Sequence, residues 1–219
     1  DVDNDIKLLT NKIPVQHITN SEFFYDKVFY VTNKTLIPRP ETEELVNLII
    51  KSEKDHQKKN ILDIGTGSGC IAVTLSNHLK SNVIGIDASK EAIAVANNNN
   101  VLTSNKVNFL HSKVEDYNPE ISFDILVSNP PYIPKVDKDK VDENVLINEP
   151  HSALFVDLDP IYFYKTIIEF SKKHLNKKGK IYFEINQNYI NEINNLLQNY
   201  EFEVIKDFYG HKRFVIIKT

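Results

Sequence analysis

The chain contains no methionine, not even at position 1, so its first residue reads as something other than the native start. Its single cysteine, Cys70, cannot form an intrachain disulfide, which fits a reducing, cytoplasmic setting. The seven histidines are scattered, with no His-x3-His and no cysteine pair to supply a zinc spacing, so no metal site is expected. No apolar run approaches the ~18 residues of a membrane span, and no signal-peptide pattern opens the chain. With a net charge of −4 a large basic surface for duplex nucleic acid is not indicated, which leaves room for a local patch. No internal repeat is found, and the run Asn97 to Asn100 reads as compositional drift. What remains is a 219-residue chain, 41% apolar and 26% charged, enough for one sizeable domain with a core.

Residues 1–20 are polar and weakly periodic. Aromatic and β-branched residues from 22 to 37, around Asp26-Lys27, predict a β-hairpin. Pro40 opens a helix with Glu41, Glu43 and Glu44 in its first turn, where acids suit the positive end of the dipole. From Ile61 onward strands and helices alternate. Strands are expected at 61–64, 83–86, 107–110, 123–127, 180–185, 202–206 and 212–217. Helices are expected at 71–79, 90–102, 161–175 and 189–197. Residues 133–158 are charged and irregular, and read as a mobile or substrate-contacting loop. Such alternation implies an α/β fold of the Rossmann type, a mainly parallel sheet with helices on both faces.

Asn129-Pro130-Pro131-Tyr132 ends the strand at 123–127. The prolines fix the backbone and supply no N–H, so carbonyls dominate locally. The Asn129 amide oxygen adds an acceptor, and Tyr132 a flat aromatic face. Two acceptors beside an aromatic plane suit a grip on the two N–H bonds of a planar –NH2 group.

Asp63-Ile64-Gly65-Thr66-Gly67-Ser68-Gly69 lies where a strand turns into a helix. Glycines there let the backbone approach a ligand, and the carboxyl end of a strand is where ligands bind in open α/β sheets. A dinucleotide fingerprint would place glycine where Cys70 stands. The Asp63 carboxylate would repel a pyrophosphate but attract an ammonium or sulfonium group, both present in S-adenosylmethionine. Asp87 ends the next strand, 22 residues after Gly65, where an acid can accept ribose hydroxyl protons.

With these motifs in chain order, the sequence resembles the class I S-adenosylmethionine-dependent methyltransferases. More narrowly it is similar to the release factor glutamine methyltransferases. That resemblance rests on Leu36-Ile37-Pro38-Arg39-Pro40-Glu41-Thr42-Glu43, Pro14-Val15-Gln16, Val127 to Pro134, and Glu149-Pro150-His151-Ser152-Ala153-Leu154-Phe155. It implies a seven-stranded sheet with an antiparallel last hairpin. Residues 1–38 would be a hairpin-bearing remnant of a linker to a helical domain, and 39–219 the methyltransferase domain. It also implies N5-methylation of the glutamine in the Gly-Gly-Gln motif of class 1 peptide release factors, the partner of a monomeric enzyme that needs no membrane and no strong nucleic-acid contact. S-adenosylhomocysteine would be the product.

By motif position, Asp63, the turn Gly65-Thr66-Gly67-Ser68-Gly69, Asp87, Ala88, Val114 and Asn129 would contact the cofactor. Val114 stands where the family often has a larger apolar residue. Asn129, Pro130 and Tyr132 would be catalytic. They would bind the glutamine together with Pro131, Arg39 and Glu41. For Arg39 and Glu41 the other reading is a surface ion pair at a helix start, and Glu184 reads as structural. An alternative target is an exocyclic amine of a flipped nucleic-acid base. A scaffold with a decayed cofactor site and a nicotinamide dehydrogenase are the remaining alternatives.

Overall fold

The computed structural model describes residues 2–53 and 58–219. Two short helices open the chain, α1 (Val2–Thr10) and α2 (Val15–Thr19), where the sequence shows only weak periodicity. Neither buries a residue, and the apolar Val2, Ile6 and Leu9 of α1 are exposed. The hairpin follows as β1 (Ser21–Phe24) and β2 (Lys27–Tyr30), joined at Tyr25-Asp26. It is shorter than the expected span of 22–37. Helix α3 (Pro40–Glu53) begins at its proline, as expected.

The alternating region then runs β3 (Asn60–Ile64), α4 (Cys70–Leu79), β4 (Asn82–Asp87), α5 (Lys90–Leu102), β5 (Asn108–His111) and β6 (Phe123–Ser128). Residues 133–158, expected to be irregular, are built from short elements. A two-residue strand β7 (Ile133–Pro134) pairs in parallel with β8 (Phe155–Val156). Between them lie a 3-10 turn (Lys135–Lys140), α6 (Glu143–Asn148) and α7 (His151–Leu154). Asp142 caps α6 by accepting from the Asn144 N–H at 2.8 Å, and Tyr189 donates to Asp137 at 2.7 Å. These elements are too short to carry a readable period. The chain closes with α8 (Tyr162–His174), β9 (Leu175–Glu184), α9 (Ile190–Leu197), β10 (Glu201–Lys206) and β11 (Lys212–Lys218).

Seven strands form one sheet in the order β10-β11-β9-β6-β3-β4-β5. β5, β4, β3, β6 and β9 are mutually parallel, and β11 runs antiparallel to both β9 and β10. Successive residues of a strand face opposite ways, which divides the core in two. Ile61, Ile125, Val127, Tyr182 and Phe214 join α3, α4 and α5 on one face, with Phe24 and Phe29 of the hairpin. Leu62, Leu126, Ile181, Phe183 and Val215 join α8 and α9 on the other. Among the described residues no helix is long and apolar enough to cross a membrane.

The asparagine run is structural rather than compositional drift. Asn99 is fully buried on α5. Its Oδ1 accepts the Tyr30 N–H at 2.7 Å, and its Nδ2 donates to the carbonyls of Tyr30 and Ser68, both at 2.9 Å. One side chain therefore ties the N-terminal hairpin to the Gly-rich turn. Asn100 closes the α5–β5 connection by pairing with both backbone groups of Val107. Replacing Asn99 by Ala leaves buried backbone groups unpaired. The expected loss is roughly 2–4 kcal/mol, read as a lowered urea midpoint with unchanged slope.

Candidate active site

The Gly-rich turn forms the floor of a cavity of about 740 Å³ at the carboxyl ends of the parallel strands. Gly65 (φ +73°) and Gly67 (φ +53°) adopt left-handed backbone, and a Cβ on either would meet nothing within 4 Å. Open space there lets a ligand lie against the main chain. Gly69 (φ +81°) serves packing instead, since its Cβ would come within 2.8 Å of the Phe109 ring.

Asp87 locks this turn. One carboxylate oxygen accepts the Gly67 N–H at 2.9 Å, the other the Ser89 N–H at 2.8 Å. Ser89 caps α5, accepting from the Ala92 N–H at 3.1 Å. Each Asp87 oxygen keeps a lone pair for a hydroxyl donor. Burial raises its pKa, against the pull of the two N–H groups and of His111.

Gly65, Thr66, Gly67, Ser68, Asp87 and Ala88 line the cavity, together with Val114 beyond β5. Asn129, Pro130, Pro131 and Arg39 line it from the β6 and α3 side. Asp63, Gly69, Tyr132 and Glu41 are not on its wall. Asp63 is fully buried behind the turn, where Oδ2 accepts from the Thr66 hydroxyl at 2.6 Å and Oδ1 has no hydrogen-bond partner among the described residues. It acts on the cavity through Thr66. Burial, above all, pushes its carboxyl from 3.8 up to about 7, although the Thr66 hydroxyl favours the charged form. Tyr132 packs partly buried against the β9–α8 side of the core. Burial raises its phenol pKa, and the charge of Glu184 adds to this.

On the opposite side, Asn129 Nδ2 donates to the Thr42 hydroxyl at 3.2 Å, and that hydroxyl donates to Glu184 Oε2 at 2.8 Å. Asn129 Oδ1 accepts no hydrogen bond among the described residues. Arg39 does not pair with Glu41. Its partner is the buried Glu149, whose other oxygen accepts the Ile37 N–H at 3.0 Å. Two signatures 110 residues apart thus meet, and Arg39 is fixed rather than free at the surface.

Sequence reasoning assigned no role to Thr42, His111, Tyr162 or Phe163, all of which reach the cavity. Thr42 lay inside a quoted motif, so a signal existed. The aromatics at the start of α8 carried none. They meet edge-to-face at 5.2 Å and supply apolar surface beside Val114.

A family profile described as the methyltransferase small domain matches residues 42–157. A release factor glutamine methyltransferase of Flavobacterium psychrophilum is 45% identical over 218 residues, covering 94% of this chain and 76% of that protein. One from Bacteroides thetaiotaomicron is 41% identical, covering 98% of this chain and 79% of that protein. The chain belongs to the release factor glutamine methyltransferase family. Solved structures agree on the fold. A methyltransferase from Pyrococcus furiosus superposes with a TM-score of 0.62 at 18% identity, covering 100% of this chain and 98% of that one. A 16S rRNA guanine methyltransferase from Thermus thermophilus gives 0.64 at 14%, covering 91% and 49%. The seven-stranded arrangement and reversed closing strands expected of the family are those observed.

A carboxyl whose pKa is raised on folding stabilises the fold below its unfolded value, and that stability is lost as pH climbs through the folded value. For Asp63 this window runs from 3.8 to about 7. Asp63→Asn removes the dependence. Its melting temperature relative to the parent is expected to rise across that window in parallel thermal scans.

Proposed function

We propose that this chain transfers a methyl group from S-adenosylmethionine to the side-chain nitrogen, N5, of the glutamine in the Gly-Gly-Gln motif of a class 1 peptide release factor. Family membership supports the reaction. The observation that carries the chemistry is the Asn129 amide, which gives one N–H to Thr42 and whose oxygen accepts no hydrogen bond among the described residues, on a cavity wall continued by two prolines.

The residues present fit the cofactor. The Gly65 and Gly67 backbones leave room against the turn, the unspent lone pairs of Asp87 suit ribose hydroxyls, and Ala88 and Val114 offer apolar surface. When bound, S-adenosylmethionine supplies an electrophilic methyl carried on a sulfonium. The rest falls to the chain. Asn129 Oδ1 and the Pro130 carbonyl accept the two N–H bonds of the glutamine amide. Gripped in this way, the nitrogen lone pair is drawn out of conjugation with the carbonyl. Hydrogen bonds that strengthen as the nitrogen pyramidalises stabilise the transition state more than the ground state. Close in-line placement supplies much of the rest. No base is required before transfer, because the proton leaves a cationic product readily. Tyr132 supports the β6 loop from the core side, and the Arg39–Glu149 pair shapes the substrate entrance.

The same reading takes the enzyme as a cytoplasmic monomer without strong direct nucleic-acid binding, in keeping with its net charge of −4. Residues 39–219 are taken as the methyltransferase domain, and 1–38 as the hairpin-bearing link to a helical domain. Labelled S-adenosylmethionine is expected to mark a class 1 release factor and not its Gln→Ala variant at Gly-Gly-Gln. Marking of nucleic acid instead would overturn the assignment. Asn129→Ala is expected to lower kcat about 10²-fold or more, with cofactor affinity measured by calorimetry changing far less.

A further inference from the structure

Glu184 lies at the end of β9 and is 3% exposed, and Thr42 is 4% exposed on α3. Neither residue belongs to the Gly-rich turn or the Asn-Pro-Pro-Tyr segment. Yet the two form a chain of hydrogen bonds that ends on Asn129. An ionised carboxylate only accepts, so the Thr42 hydroxyl must give Glu184 its one proton. Thr42 then faces Asn129 with lone pairs alone. Of the two ends of the Asn129 amide, only the nitrogen can answer them. While Glu184 is ionised, this sets the amide by chemistry, independent of how its oxygen and nitrogen are told apart.

We propose that Glu184, acting through the Thr42 hydroxyl, is a positioning residue that holds the Asn129 amide with its nitrogen toward α3 and its oxygen toward the cavity. The inference deepens the proposed reaction, since the –NH2 of a glutamine needs an acceptor there. Reversed polarity has the opposite effect. A protonated Glu184 can donate to Thr42, whose own proton then goes to Asn129. The amide turns over and presents N–H to N–H. Burial pushes the Glu184 carboxyl up to about 7, while the Thr42 hydroxyl and Arg213 favour its charged form, so both polarities are populated near neutrality. The groups around Glu184 come from four elements. Glu41 and Arg39 lie at the start of α3, Arg213 on β11, Tyr132 after β6, and Tyr164 on α8. Among the described residues none of these groups hydrogen-bonds the Asn129 side chain, which Glu184 reaches through Thr42.

Two readouts test this on the full chain. Side-chain amide resonances of Asn129, assigned by their loss in Asn129→Ala, are followed through the neutral pH range in the parent, Thr42→Ser, Thr42→Val and Glu184→Gln. Titration in the parent and Thr42→Ser, and none in Thr42→Val or Glu184→Gln, is the expected result. Steady-state methylation is measured on the same proteins. Thr42→Val is expected to lower kcat about tenfold or more with the KM for S-adenosylmethionine unchanged. Thr42→Ser restores it. The parent's rate rises with pH through the neutral range, and that of Glu184→Gln does not. Parent-like titration in Thr42→Val, or a loss in Thr42→Ser as deep as in Thr42→Val, overturns the proposal. The resonances need no substrate. A parent that fails to methylate release factor while showing the expected titrations removes the substrate reading and leaves the positioning role supported.

Discussion

Ile64 and Ser128 end neighbouring parallel strands, and the Ser128 hydroxyl donates to the Ile64 carbonyl at 2.6 Å, fully buried. The two chain reversals of the site start on either side of this bond, the Gly-rich turn after Ile64 and Asn129-Pro130-Pro131 after Ser128. Parallel pairing of β3 with β6 sets their heights, and the Ser128 bond closes the pair where the ladder stops. Slippage of β6 by one residue would exchange Leu126 for Ile125 and Val127 on the helix-facing sides and carry Asn129 away from Thr42. The relative position of ligand floor and acceptor wall is therefore a property of the sheet register. The loops inherit it.

Buried carboxyls cluster at this edge, and their surroundings divide their work. Glu149 has an arginine and a backbone N–H, so it serves as an anchor between two distant segments. Asp87 has two backbone N–H partners and keeps capacity to accept more. Asp63 and Glu184 each have one hydroxyl partner and are raised to about 7 by burial. Each of these last two sits behind a threonine that lines the cavity, Thr66 for one and Thr42 for the other. Neither carboxyl lines the cavity itself; the threonine hydroxyl that bonds it does.

Strands and long helices were legible because their apolar periods repeat over several residues. β3, α4, β4 and α5 lie within a residue or two of where alternation predicts them. Glycine spacing and the double proline marked the site because those residues constrain backbone directly. Contacts between distant segments were not legible. Nothing local says that Arg39 meets Glu149 instead of its neighbour Glu41, or that Glu184 reaches Asn129 through Thr42. Asn99 shows the limit most clearly. Inside a run of four asparagines, one position falls on the buried side of α5, and only the rotation of that helix separates it from its neighbours. Tyr132 was read for its face, but the turn of the chain after the prolines sends the ring to the core.

A wall rich in acceptors also bears on selection among side chains. The prolines remove two donors that any other residues would have placed beside the cavity. Thr42 accepts one of the two N–H bonds of the Asn129 amide. The Asn129 and proline oxygens on this stretch of wall suit a group with two hydrogens on one nitrogen, beside the Arg39 guanidinium that also lines the cavity. A glutamate in the same place would bring lone pairs against lone pairs and a negative charge into a region already holding buried carboxyls. Sites built to satisfy a polar group discriminate strongly against its isostere, because the buried partners are left unpaired. On the proposed reaction, discrimination between an amide and a carboxylate draws on the donors that the two prolines lack and on the N–H that Thr42 takes up.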